Sequence, residues 1–180
     1  MPDPKLPAGL SHVDADGRAR MVDVGGKAVT RRRALATVRV EMSPETLAIA
    51  LAGSGPKGPV LETARLAGIA GAKRTAELIP LCHLLPLDSV ALRIEPETSR
   101  PAAAAGRRSG TDAARAALVI TAEATATART GVEMEALTAC SIAALVLIDM
   151  LKAVERTLVV TDLRLLSKSG GASGDWVAPC

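Results

Sequence analysis

Aromatic side chains are almost missing from this chain of 180 residues, which has no Phe, no Tyr and a single tryptophan, Trp176. Its core must therefore be aliphatic, built from Ala, Val, Leu and Ile. A module that reads single-stranded RNA by stacking bases on sheet aromatics is excluded by the same shortage. Histidine is nearly as scarce, with His12 and His83 the only two. Three cysteines, Cys82, Cys140 and Cys180, form an odd set with no CxxC spacing, so neither a disulfide framework nor a zinc site is supported. A reducing compartment is expected. The opening MPDPKLPAGLSHVD lacks the basic stretch and apolar stretch of a secretory leader. These features point to the cytoplasm.

Charge of one sign is not in large excess, with 22 basic and 19 acidic residues for a net charge of +3. That balance suits a small anion better than nucleic acid or a membrane surface. The length fits one domain able to bury a core. Residues 1–9 hold three prolines and a glycine and are expected to be a flexible tail. A single catalytic domain is expected over 10–180, with a low-complexity insert, TSRPAAAAGRRSGTDAAR, forming an exposed loop at 98–115.

Periodicity orders the elements. ATVRVEM alternates as a strand with Val38, Val40 and Met42 on one face, while MVDVGGKAVTRRR before it (21–33) reads as a solvated loop. Ser43, Pro44 and Glu45 are the N-cap, first-position proline and first-turn acid of a helix running to about Ala50. A second helix is predicted from about 60 to 79, ending at Pro80, and strands follow at DSVALRIEPE and ALVITAEATATAR. A final strand covers about 158–166. The order strand, helix, helix, strand, strand, helix, strand predicts an α+β fold, a ferredoxin-like split βαβ. Its antiparallel sheet of about four strands should be covered by helices on one face.

Between the last two of these strands lies GVEMEALTACSIAALVLIDMLKAVER, residues 131–156, without a charge from Ala136 to Ile148. Such a segment is predicted to be a helix buried all round, and it is short for a bilayer span. Asp149 and Lys152, one turn apart at its end, should be partly desolvated, where pKa values move. Either this is a site helix, or it is a core helix whose charges frame two wet ends. From Glu135 to Asp149 is fourteen residues, about 21 Å of rise and within about 40° of the same face. One small ligand cannot touch both ends of one copy, so a site using both requires a second copy.

Ionisable groups also concentrate at Lys57 in the turn SGPKGP, at Cys82-His83 after Pro80, at Glu133-Met134-Glu135, and at Lys168 ahead of Gly170, Gly171 and Gly174. Glycine-rich turns let backbone amides approach a phosphate, although this one is not a P-loop.

The strings MVDV with Lys27, TARLAGIAGAKRTAELIPLCH, TGVEMEALTA, DMLKAV and LLSKSGG resemble the MoaC family, the cyclic pyranopterin monophosphate synthases of molybdenum cofactor biosynthesis, over about residues 10–176. Three departures stand out: Leu84 in place of a proline after the histidine, Ala172 where a lysine is common, and the long 98–115 loop. The resemblance implies a ferredoxin-like fold and a lyase that converts (8S)-3′,8-cyclo-7,8-dihydroguanosine 5′-triphosphate to cyclic pyranopterin monophosphate with release of diphosphate. It implies a homohexamer, a trimer of dimers, with sites at the dimer interface, and a substrate made from GTP by an upstream radical enzyme. No cofactor is firmly implied, and Mg²⁺ is compatible with the triphosphate. By position, Leu81, Cys82, His83, Met134 and Glu135 resemble substrate-binding residues and Asp149 the active-site aspartate. Lys57, Lys152, Glu133 and Lys168 match positions near that site. On this resemblance Lys57 and Lys168 would hold phosphates, Lys152 would act as general acid and Asp149 would orient or relay the proton, a buried Asp149 of raised pKa or a Lys152 of lowered pKa being suited to the transfer. A regulatory domain of the same architecture, binding without turnover, is the rival reading.

Overall fold

The computed structural model describes residues 16–97, 115–172 and 174–179. The expected tail at 1–9, nearly all of the 98–115 insert, His12 and Cys180 lie outside the described residues. In chain order the elements are β1 (Thr30–Met42), α1 (Pro44–Leu51), α2 (Val60–Lys73), the single turn α3 (Thr75–Leu78), β2 (Ser89–Pro96), β3 (Ala116–Ala128), α4 (Glu133–Leu151), β4 (Val159–Ser169) and β5 (Trp176–Val177). The sheet runs β2-β3-β1-β4-β5 with every neighbouring pair antiparallel. This is the α+β, ferredoxin-like arrangement with one short strand added at the edge. Two residues carry no readable period, so the sequence does not announce β5.

Local chemistry explains most of the boundaries. Ser43 Oγ accepts the Thr46 backbone N–H at 3.2 Å and Pro44 opens α1, as the sequence requires. The expected helix 60–79 is broken at Arg74 (φ −109°, ψ 13°), where the buried Thr75 hydroxyl donates to the Ala72 carbonyl at 2.9 Å. The larger revision concerns β1. Thr30–Arg33, expected as solvated loop, is strand paired with Thr125–Ala128 of β3, and Arg32 is only 8% exposed. Strand pairing overrides the polar character of TRRR.

One face of the sheet carries the core. Ala34, Ala36, Val38, Val40 and Met42 of β1 and Leu118, Ile120, Ala122, Ala124 and Ala126 of β3 are fully buried under the helices. From above, α4 contributes Ala136, Ala139, Cys140, Ala143, Ala144, Leu147 and Leu151. Small residues on both surfaces let the backbones approach closely, which is how an aliphatic core without aromatics reaches interior density. Across the helix layer the same device recurs. A methyl added at Gly68 of α2 would strike Leu92 and lie 2.8 Å from the Ala139 carbonyl oxygen, and one at Gly71 would lie 2.7 Å from Ile142.

The helix α4 spans 19 residues rather than the 26 of the segment read from the sequence, and it is not buried all round, since Leu145 is 58% exposed. Its length and apolar composition would suffice to cross a bilayer, so length does not exclude a span. Its packing against β1, β3 and α2 makes it instead the central helix of the fold. The close α2–α4 approach makes Gly68→Ala destabilising by about 1–3 kcal/mol despite alanine's better helix propensity. Urea unfolding checks this, and a variant as stable as the parent would contradict the packing account.

Candidate active site

Two adjoining clefts open at the N-terminal end of α4. The smaller, about 230 Å³, lies between the Leu81-Cys82-His83 turn, the first turn of α4 and the segment carrying Val22 and Val24. Valines, leucines, Cys82 and Met134 make up much of its wall, with Lys27, His83, Thr130, Glu133 and Glu135 as its polar residues. Because a carbonyl can only accept, the 2.9 Å contact between His83 Nε2 and the Val22 carbonyl requires the proton on Nε2. Glu135 is 4% exposed, and burial, helped by the neighbouring Glu133 carboxylate, pushes its carboxyl up to about 7. The Cys82 thiol is also pushed up, first by burial and then by Glu135, which disfavours a thiolate nucleophile. Cys140, raised to about 12 by burial, is an inert core thiol.

The second cleft, about 450 Å³, shares Lys27, Thr130, Gly131 and Glu133 with the first. Five cations line it: Lys27, Arg32, Arg33, Arg129 and Lys168. Arg32 is held from behind, with Nε donating to the Ala128 carbonyl at 3.3 Å and Nη2 to that of Arg129 at 3.1 Å. Arg129 Nε in turn donates to the Lys27 carbonyl at 3.1 Å. The glycine-rich turn after Lys168 lies directly on Arg32. Gly170 and Gly171 have φ of 87° and 85°, and a Cβ on either would be driven into Arg31 or Arg32. Ala172, the position where a lysine was expected, lines the same cleft and adds no charge.

At the other end of α4 the arrangement differs. Asp149 accepts from Lys57 Nζ at 2.6 Å and from Lys152 Nζ at 2.7 Å. The turn closed by Gly58 N–H to Gly55 carbonyl, with Gly58 at φ 95°, presents Lys57 to the helix end. These side chains are 45–57% exposed, and the ammonium groups of Lys152 and Lys57 hold the Asp149 carboxyl down to about 2. The expectation of a buried Asp149 with a raised pKa is thus reversed, because the two ammonium groups favour its charged form and burial contributes little. The buried carboxylate of raised pKa is Glu135.

Of the residues picked from the sequence, Leu81, Cys82, His83, Glu133, Met134 and Glu135 meet around the smaller cleft and Lys168 joins the basic one. Lys57, Asp149 and Lys152 form a separate cluster at the far end of α4 and line neither cleft. Sequence reasoning missed Arg32 and Arg129 as parts of the site. Arg32 lay in the supposed loop, and the signal available was a run of three arginines just after Lys27.

Fold and clefts together define an α+β chain with an anion-attracting, two-part cleft at the mouth of its central helix. The MoaC family model matches residues 21–171. Proteins named cyclic pyranopterin monophosphate synthase from Chloroflexus aggregans and from Nostoc sp. are 54% and 51% identical to it. The alignments cover 93% of this chain and 92% of the first relative, and 99% and 97% with the second. A protein of the same name from Brucella ovis is 50% identical over 93% of this chain and 92% of its own. The chain belongs to the MoaC family.

The Glu135 environment sets a pH dependence of stability. Its folded pKa lies above the unfolded value of about 4.3, so the native state holds more protons between the two, and stability falls as pH rises through that window. The full cost, about 4 kcal/mol for a group this buried, is present above about pH 7. Glu135→Gln removes it, so urea unfolding should show the variant gaining on the parent from pH 4.5 to 7. Parallel pH profiles for the two proteins would contradict the assignment.

Proposed function

We propose that this chain is a cyclic pyranopterin monophosphate synthase of molybdenum cofactor biosynthesis, working in the cytoplasm. It converts (8S)-3′,8-cyclo-7,8-dihydroguanosine 5′-triphosphate to cyclic pyranopterin monophosphate and diphosphate, a phosphorus-oxygen lyase reaction. The observation that carries this reading is the pairing of the two clefts: a small one with valines, leucines, Cys82 and Met134 in its wall beside a larger one lined by five cations. A fused-ring nucleotide has the same division, with a flat heterocycle at one end and up to four negative charges at the other. The rings lie against Leu81, Cys82 and Met134, with hydrogen bonds accepted by His83 Nδ1 and exchanged with Glu135. The phosphates lie among Lys27, Arg32, Arg129 and Lys168, where fixed cations stabilise the charge that grows on departing diphosphate.

Of the two roles expected of Asp149, orienting and relaying a proton, the first fits its surroundings. A carboxyl with a pKa of about 2 is protonated in roughly one molecule in 10⁵ at pH 7 and is a poor proton carrier. It positions the ammonium groups of Lys57 and Lys152, and Lys152 serves as the general acid for the leaving groups of ring opening. Glu135 can gain or lose a proton near neutrality and exchanges it with the ring nitrogens.

Glu135 and Asp149 lie about 21 Å apart by helical rise. A substrate that needs both must meet them on different copies, so the site is completed at a dimer interface, and three such dimers form a hexamer. Exposed leucines on the helix layer, Leu66 at 65% and Leu145 at 58%, support burial against another copy.

Assaying the protein with the cyclised triphosphate tests the reading. Diphosphate should appear in step with the pterin product, and Lys152→Ala should lower kcat by about 10²–10⁴. Binding without turnover by the parent would assign a regulatory domain instead, and an Asp149→Asn variant with full diphosphate release would remove Asp149 from the site.

A further inference from the structure

Four buried side-chain polar atoms have no hydrogen-bond partner among the described residues: Thr30 Oγ1, Thr130 Oγ1, Thr161 Oγ1 and Arg65 Nε. Two of the four belong to residues that line the basic cleft. Thr30 opens β1 opposite Ala128, the last residue of β3, and Thr130 follows two residues later, so strand pairing brings both to the same end of the sheet. An unpaired buried hydroxyl lowers stability, and native proteins rarely retain one without a use. Both residues are only half-buried although their oxygens are shielded. A step between staggered χ1 rotamers moves the hydroxyl without moving the backbone, so each of these cleft-lining residues can offer its hydroxyl to an occupant.

The neighbouring cations are partly committed. Arg32 donates to two carbonyls, Arg129 to a third, and Arg33 Nη2 to Glu123 at 2.6 Å. They supply charge and shape, and each has fewer N–H groups left for an occupant. An occupant made of phosphate oxygens only accepts, so it needs donors rather than further charge.

We infer that Thr30 and Thr130 are ligand-contacting residues whose hydroxyls donate to the phosphate oxygens of a polyphosphate held in the basic cleft. This rests on the basic cleft as the phosphate end of the proposed substrate site. A hydroxyl used in this way is dispensable for folding and needed for binding.

Calorimetric titration with inorganic tripolyphosphate, alongside thermal melts of the ligand-free proteins, tests it in the parent, Thr30→Val, Thr130→Val and the two serine variants. Each valine variant should melt no lower than the parent and bind tripolyphosphate about tenfold more weakly, equivalent to about 1.4 kcal/mol. The serine variants should bind as the parent does. Valine variants that bind like the parent, that melt lower than the parent, or a parent that does not bind tripolyphosphate would each overturn the inference. Turnover of the cyclised triphosphate by the parent separates the two ideas. Threonine-dependent tripolyphosphate binding without turnover sinks the proposed activity alone, whereas turnover with parent-like binding in the valine variants sinks the threonine contacts alone.

Discussion

The packing of α4 onto β1 and β3 is the constraint on which the rest depends. With no Phe or Tyr, close packing has to come from small residues meeting at short range: alanines of α4 against alanines and valines of the sheet, and Gly68 and Gly71 of α2 against the helix flank. Such an interface tolerates little sliding, because small side chains leave no flexible ends to absorb a shift. The helix therefore holds the groups at its two ends in fixed places, Glu135 at one and Asp149 at the other.

Those two carboxylates are driven in opposite directions by their surroundings. Burial, with the Glu133 carboxylate beside it, raises Glu135 towards neutrality, while the ammonium groups of Lys152 and Lys57 lower Asp149 to about 2. Titratable groups pushed apart by environment are the usual means of dividing proton holding from charge placement in one site. On the proposed reading, Glu135 exchanges protons with the heterocycle, Asp149 fixes the lysines, and the arginine-backed cleft receives the phosphates. The Gly170-Gly171 turn lies over Arg32 of this basic cleft, where a Cβ would collide with the arginine strand.

Much of this was legible in the sequence, for physical reasons that differ from element to element. The alternation through Val38, Val40 and Met42, the Ser43-Pro44 start and the uncharged run after Ala136 report burial directly, and the strands and helices stand where those patterns put them. Thr30–Arg33 was not legible as strand, because its conformation comes from pairing with β3 and not from its own side chains. The residues of the smaller cleft were recognisable from their motifs. The electrostatics of Asp149 were misread because an apolar run says nothing of where the helix emerges, and the second of its two lysine partners, Lys57, lies 92 positions away. Arg32 escaped for a related reason, since its carbonyl partners sit at Ala128 and Arg129.

On the proposed reading the two ends of α4 serve one site only across two copies of the chain. Subunit complementation tests this. His83→Ala and Asp149→Asn chains, each inactive alone, are co-expressed and purified as mixed oligomers. If each site draws His83 from one copy and Asp149 from another, random mixing rebuilds about one site in four, and about a quarter of parental diphosphate release returns. Mixed oligomers as inactive as either variant alone would contradict the account.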